Sequence, residues 1–162
     1  MPIPSAGRPA PDFELLDHDG RPVRLQQFRG QRVVLYFYPK DDTAGCTREA
    51  CAFRDDHARY RKQGAVILGV SPDGPASHTR FREKFHLPFP LLADEGHKVG
   101  KAYGVWGKKK FMGREYMGVR RTTFIIGPDG KIEDVFEGVR PEGHSQQVLG
   151  TLAERIHARG KA

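Results

Sequence analysis

The stretch from Val33 to Asp56 constrains this chain more than any other. Val33-Val34-Leu35-Tyr36-Phe37-Tyr38 has the β-branched and aromatic make-up of a buried strand, and Pro39 lacks the amide hydrogen that would continue a ladder. The strand therefore ends there. Asp41, Asp42 and Thr43 are all suited to cap a helix, and Phe53, His57 and Tyr60 recur at intervals of four and three, so a helix is expected over 47–60. Both cysteines of the chain, Cys46 and Cys51, fall in this strand, turn and helix. Cys46 is placed in the first helical turn, where unpaired backbone N–H groups and the positive end of the helix dipole favour a thiolate over a thiol.

With 162 residues, the chain suits a single domain over 1–162 with a core of its own. No apolar run approaches the ~18 residues of a membrane span, and Met1 to Gly7 lacks the basic and apolar regions of a leader. A soluble, cytoplasmic protein with no membrane partner is expected. Two cysteines are too few for a secreted disulfide scaffold, so their closeness points to redox chemistry or a metal. The net charge is +7, with Lys108-Lys109-Lys110, Arg114, Arg120 and Arg121 interleaved by Trp106, Phe111 and Tyr116. No nucleic-acid motif accompanies these residues. A solvated basic loop, able to steer an acidic protein partner, is the expectation, and no nucleic-acid partner is expected.

Prolines extend the segment Arg8 to Asp17, and Asp17-His18-Asp19-Gly20 turns it towards Val23 and Leu25, which predicts an N-terminal hairpin. Gly64 ends the cysteine helix before Ala65 to Val70, a second buried strand, and the three elements form a parallel crossover unit. A helix to Phe85, a short apolar segment from Leu87 to Leu92 and a short helix over 95–103 follow. Gly104 to Gly118 reads as a loop. Thr122 to Ile126 and Lys131 to Phe136 form a hairpin around Gly127-Pro128-Asp129-Gly130, and Val148, Leu149, Leu152 and Ile156 line one face of a last helix over 144–159. The sum is an α/β protein with a three-layer sandwich and a mixed central sheet.

Moving an ordinary thiol from about 8.5 to about 6 takes ~3.4 kcal/mol, whereas a helix terminus supplies only ~0.3 to 2 kcal/mol. A cation is required. Arg48 would lie on another helix face, so an arginine from elsewhere in the chain is expected; Arg120 and Arg121 precede a buried strand whose alternation lets only one of them face the site. Thr43 is either a helix cap or a hydroxyl for an oxygen substrate, and the two roles are compatible. Pro39 stops the strand or walls the site against water. Glu49 suits the first helical turn and could orient the arginine. Tyr38 belongs to the core, at the edge of the pocket.

Pro39-x-x-x-Thr43-x-x-Cys46 resembles the peroxiredoxin active-site motif, as do Tyr36 to Lys40 and Gly45-Cys46-Thr47. The Cys46-x-x-x-x-Cys51 spacing is similar to the bacterioferritin comigratory protein or peroxiredoxin Q branch, and the likeness extends through Ala10-Pro11-Asp12-Phe13, Gly69 to Asp73, Tyr103 to Trp106 and Arg121 to Phe124. Ala44 departs from it, since many relatives carry proline there. The resemblance implies a thioredoxin-like fold and a thiol-dependent peroxidase, with Cys46 peroxidatic, Cys51 resolving and Arg121 the active-site arginine. It implies hydroperoxide as substrate, an intramolecular Cys46–Cys51 disulfide, thioredoxin or a similar dithiol as reductant, a monomer, and neither metal nor organic cofactor.

Three other readings compete. Zinc on Cys46, Cys51 and His57 is disfavoured because Cys51 lies roughly 140° around a helix from Cys46. A thiol–disulfide oxidoreductase would carry Cys-x-x-Cys, which the chain lacks. A basic binding module without catalysis would show salt-sensitive oligonucleotide binding and no peroxide consumption.

Overall fold

The computed structural model describes residues 2–160. Its central element is β3 (Arg32–Phe37), whose residues are all buried. On one side β3 runs parallel to β4 (Ala65–Ser71), which is parallel in turn to β5 (Leu91–Ala93). On the other side it is antiparallel to β8 (Thr122–Ile126), which continues antiparallel into β9 (Ile132–Glu137). The N-terminal hairpin of β1 (Glu14–Asp17) and β2 (Pro22–Arg24) joins through β5, giving the order β2-β1-β5-β4-β3-β8-β9. The expected crossover unit and both of these hairpins are present.

Strand alternation divides the core. Val34, Tyr36 and Tyr38 face a cluster that includes Cys46, Ala50 and Phe53 of α1 (Ala44–Asp55), Tyr60 of α2 (His57–Lys62), Phe81 of α3 (Pro75–Phe85), and Val148 and Leu152 of α5 (His144–Gly160). Val33, Leu35 and Phe37 face Phe13, Leu25, Val105 and two residues at the short α4 (Lys98–Ala102), Val99 and Tyr103. The sheet is thus covered unequally, with the longer helices on the face that holds Cys46.

Two expectations are corrected. The helix expected over 47–60 begins three residues earlier and breaks at Asp56, whose side chain accepts a 2.7 Å hydrogen bond from Ser145 Oγ of α5. The loop expected over 104–118 is a two-stranded ribbon, β6 (Trp106–Phe111) and β7 (Arg114–Val119), separate from the main sheet. Its turn is formed by Met112 and Gly113 at φ 51° and 79°, the backbone of a tight hairpin built from residues that do not announce one.

Candidate active site

Phe37 pairs with Thr122, so Arg121 enters beside the place where β3 gives way to the loop at Pro39. That loop is held from below. Tyr38 Oη donates to Asp41 Oδ1 (2.6 Å), Ser77 Oγ donates to Asp41 Oδ2 (2.8 Å), and His78 Nδ1 lies 2.7 Å from the same oxygen. The Asp41 amide donates to Asp73 Oδ2 (2.8 Å), and His78 Nε2 lies 3.0 Å from the Leu92 carbonyl. Tyr38, Asp41 and His78 are all buried, so this polar cluster couples the loop to α3 and β5 in a medium where each hydrogen bond is strengthened. Asp42 then takes φ 58°, a left-handed conformation that aspartate tolerates, and Thr43 leads into α1.

Thr43 is the N-cap by position, and its carbonyl accepts from Thr47 N at 2.8 Å. Its hydroxyl does not cap the helix; it donates instead to the Lys40 carbonyl at 2.9 Å. Cys46 is the third residue of α1 and fully buried. Arg121 Nη2 lies 3.1 Å from its sulfur, and Arg121 Nη1 donates to Glu49 Oε1 at 3.3 Å. The Arg121 side chain is one-fifth exposed and the Glu49 side chain 1% exposed. Burial raises the Glu49 pKa to about 7 despite the opposing pull of Arg121, and its Oε2 has no hydrogen-bond partner among the described residues. Arg120 points elsewhere, donating from Nη2 to the Lys108 carbonyl at 3.3 Å, and Arg48 pairs at the surface with Glu142.

Cys46, Arg121 and Glu49 are therefore brought together, with Pro39 half-buried and Thr43 on the same short loop. Tyr38 is in the core cluster that contains Cys46, with its hydroxyl taken up by Asp41. Cys51 is half-buried, five positions along the same helix, and both cysteines are free. Sequence reasoning gave no such role to Gly45, Asp41 or His78. Gly45 leaves room for the cation, because a Cβ there would lie 2.8 Å from Arg121 Nη2. Asp41 and His78 are widely separated in sequence, and only the fold shows that they pair. Lys109, in β6, also lies close enough to Arg121 and Cys46 for their charges to act on its amine; burial lowers its pKa first, Arg121 lowers it further and Cys46 opposes.

A cysteine at a helix N-terminus under an arginine, on a mixed α/β sheet, defines a class of thiol enzyme. The AhpC/TSA family model matches residues 6–135, and the chain belongs to that family. Within it, the similarity is to the bacterioferritin comigratory, or peroxiredoxin Q, branch. Peroxiredoxin Bcp of Escherichia coli (strain K12) is 49% identical over 149 residues, covering 92% of this chain and 96% of the relative. Peroxiredoxin Bcp of Bacillus subtilis (strain 168) is 47% identical over 148 residues, covering 91% and 94%. A structure of the Xanthomonas campestris bacterioferritin comigratory protein, described in terms of alkyl peroxide reduction, superposes with a TM-score of 0.88 at 33% identity, covering 94% of this chain and 99% of the other. The fold is thioredoxin-like and the protein is a thiol-dependent peroxidase, as the resemblance implied.

Proposed function

We propose that the protein reduces hydrogen peroxide and organic hydroperoxides to water and alcohols through a Cys46 sulfenic acid and a Cys46–Cys51 disulfide, with thioredoxin as the electron donor. The observation that carries this reading is the 3.1 Å approach of Arg121 Nη2 to Cys46 Sγ at the start of α1. A guanidinium there sets a fixed positive charge beside the sulfur that attacks. Arg121 covers the buried sulfur, so the terminal oxygens of a peroxide enter at the guanidinium. Thr43 has its proton committed to the Lys40 carbonyl, which leaves hydroxyl lone pairs to accept from the hydroperoxide O–H.

The Cys46 sulfur forms a bond to the terminal oxygen as the O–O bond breaks. The alkoxide or hydroxide leaves, steadied by Arg121 and the Cys46 amide, and takes up a proton. Cys51 then attacks the sulfenic sulfur, water departs and the disulfide forms. A dithiol donor returns two electrons and two protons. Pro39 walls the site and Glu49 orients Arg121. Redox defence in the cytoplasm, as a monomer without metal or organic cofactor, completes the reading; among the described residues no helix is long and apolar enough to cross a membrane.

Steady-state assays with a panel of peroxides, each with thioredoxin, glutaredoxin or glutathione, test it. Turnover should be fastest with thioredoxin and absent in Cys46→Ser, because an alcohol cannot replace the thiolate. Normal turnover in Cys46→Ser would refute the assignment.

A further inference from the structure

The β6–β7 ribbon is the one strand pair outside the main sheet among the described residues, and from Lys110 to Met117 every residue on it is exposed. Phe111 is 66% and Met112 88% exposed, with Tyr116 and Met117 about half out. Segment 106–121 carries Lys108, Lys109, Lys110, Arg114, Arg120 and Arg121 against the single acid Glu115, so most of the chain's net charge of +7 is concentrated there. The root of the ribbon is fixed: Trp106 stacks on His97 at 3.6 Å, and Lys109 Nζ donates to the Val119 carbonyl at 2.9 Å. Arg120 Nη2 donates to the Lys108 carbonyl at 3.3 Å, and the next residue, Arg121, lies 3.1 Å from the Cys46 sulfur, so the ribbon rises beside the reactive sulfur.

We infer that this ribbon is the docking surface for the protein that returns electrons to the Cys46–Cys51 disulfide, a dithiol reductase with an acidic, partly apolar face around its thiols. The inference rests on the peroxidase cycle proposed above. In that step a thiolate of the partner attacks one sulfur of the disulfide, the other leaves as a thiol, and the partner's second thiol resolves the mixed disulfide. Two electrons and two protons pass from partner to enzyme. The partner's sulfur must come within bonding distance of the site, so the partner has to lie across whatever projects next to it.

Composition favours a protein over a lipid surface. Cations and large apolar groups alternate along the ribbon: Lys108 pairs with Met117, Lys109 with Tyr116 and Phe111 with Arg114. Phe111 and Met112 crown the turn, but Tyr116 and Met117 carry apolar surface down the strand among the cations, and interleaved aromatic, methionine and arginine side chains are what protein interfaces use. Isolated two-stranded ribbons are marginal on their own, and an exposed apolar patch on one marks a contact surface. The charge sets the sign of the partner, since a basic patch accelerates encounter with an acidic one.

The test separates the two half-reactions in the full-length protein. The triple variant Lys108→Glu, Lys110→Glu, Arg114→Glu should react with hydrogen peroxide in a single turnover at the unmodified rate, and dithiothreitol should reduce it normally. With an acidic thioredoxin as the probe, kcat/KM for reduction should fall at least tenfold. The unmodified enzyme should lose rate with added salt and the variant should not. Phe111→Ser with Met112→Ser should weaken reduction by thioredoxin without that loss of salt dependence. Unchanged reduction by thioredoxin in both variants would overturn the inference, as would loss of binding to anionic phosphatidylglycerol vesicles with thioredoxin kinetics unchanged. Failure of the underlying cycle looks different: the unmodified protein would form no Cys46–Cys51 disulfide, and the docking role would fall with it.

Discussion

Gly45 and Arg121 meet so closely that a single methyl group would force the guanidinium to move, and the 3.1 Å contact to Cys46 Sγ depends on that space. Arg121→Ala should slow the reaction with peroxide by about 100-fold, the scale of losing one charged donor from a transition state. Arg120→Ala should change it little, because that side chain is turned to the Lys108 carbonyl. Stopped-flow tryptophan fluorescence checks both, and a larger effect from Arg120 would overturn the register. Glu49 titrates at about 7 in the folded protein against 4.5 for an ordinary glutamate. The unfolded chain therefore releases this proton first, so the Glu49 contribution is present below pH 4.5 and lost as pH rises to about 7. The loss amounts to about 3 kcal/mol. Glu49→Gln should gain stability over the unmodified protein at pH 7.5 but not at pH 4.5, measured by urea unfolding. An equal difference at both pH values would contradict the burial argument. The cysteines and Thr43 stand out by their spacing, and the choice of Arg121 over Arg120 rests on the family resemblance; Asp41 with His78 could not be found, because nothing local in either segment encodes their pairing.

At the scale of elements, α1 carries both cysteines, and this sets a conflict. Five residues of helix separate two Cα atoms by above ~8 Å and turn their side chains to roughly opposite faces, whereas a disulfide needs Cα atoms within ~7 Å. The bond therefore requires part of α1 to unwind. Amide exchange from Thr43 to Arg54 should accelerate in the oxidised protein, far-UV circular dichroism should lose helix signal, and Cys51→Ser should hold the sulfenic acid without either change. Unchanged protection across that segment in disulfide-bonded protein would contradict the helix placement of one cysteine. The strands beside α1 were legible because β3 and β4 are continuous apolar runs bounded by Pro39, Gly64 and Pro72. The ribbon was not. Three successive lysines have little strand propensity, and Met112-Gly113 lacks the asparagine or aspartate that usually marks such a turn. The helix break at Asp56 was hidden likewise, since it is fixed by Ser145 across the fold rather than by a local glycine or proline.

For the molecule as a whole, the sheet brings together one residue from the start of α1 and one from just before β8, while the longer helices close over the same face. Which strands neighbour each other followed from the crossover unit and the turn chemistry; how unequally the two faces are covered depended on packing between distant segments. The outcome is a buried sulfur under a single guanidinium, with Cys51 half-buried on the same helix. The most direct measurement is a stoichiometric one. Reduced protein is treated with a single equivalent of hydrogen peroxide without reductant, then examined by thiol titration, intact mass and peptide mapping. The expected result is loss of both thiols per peroxide, a mass decrease of about 2 Da and a peptide linking Cys46 to Cys51 within one chain, with none of these in Cys46→Ser. Retention of both thiols, or a disulfide only between chains, would contradict the proposed cycle.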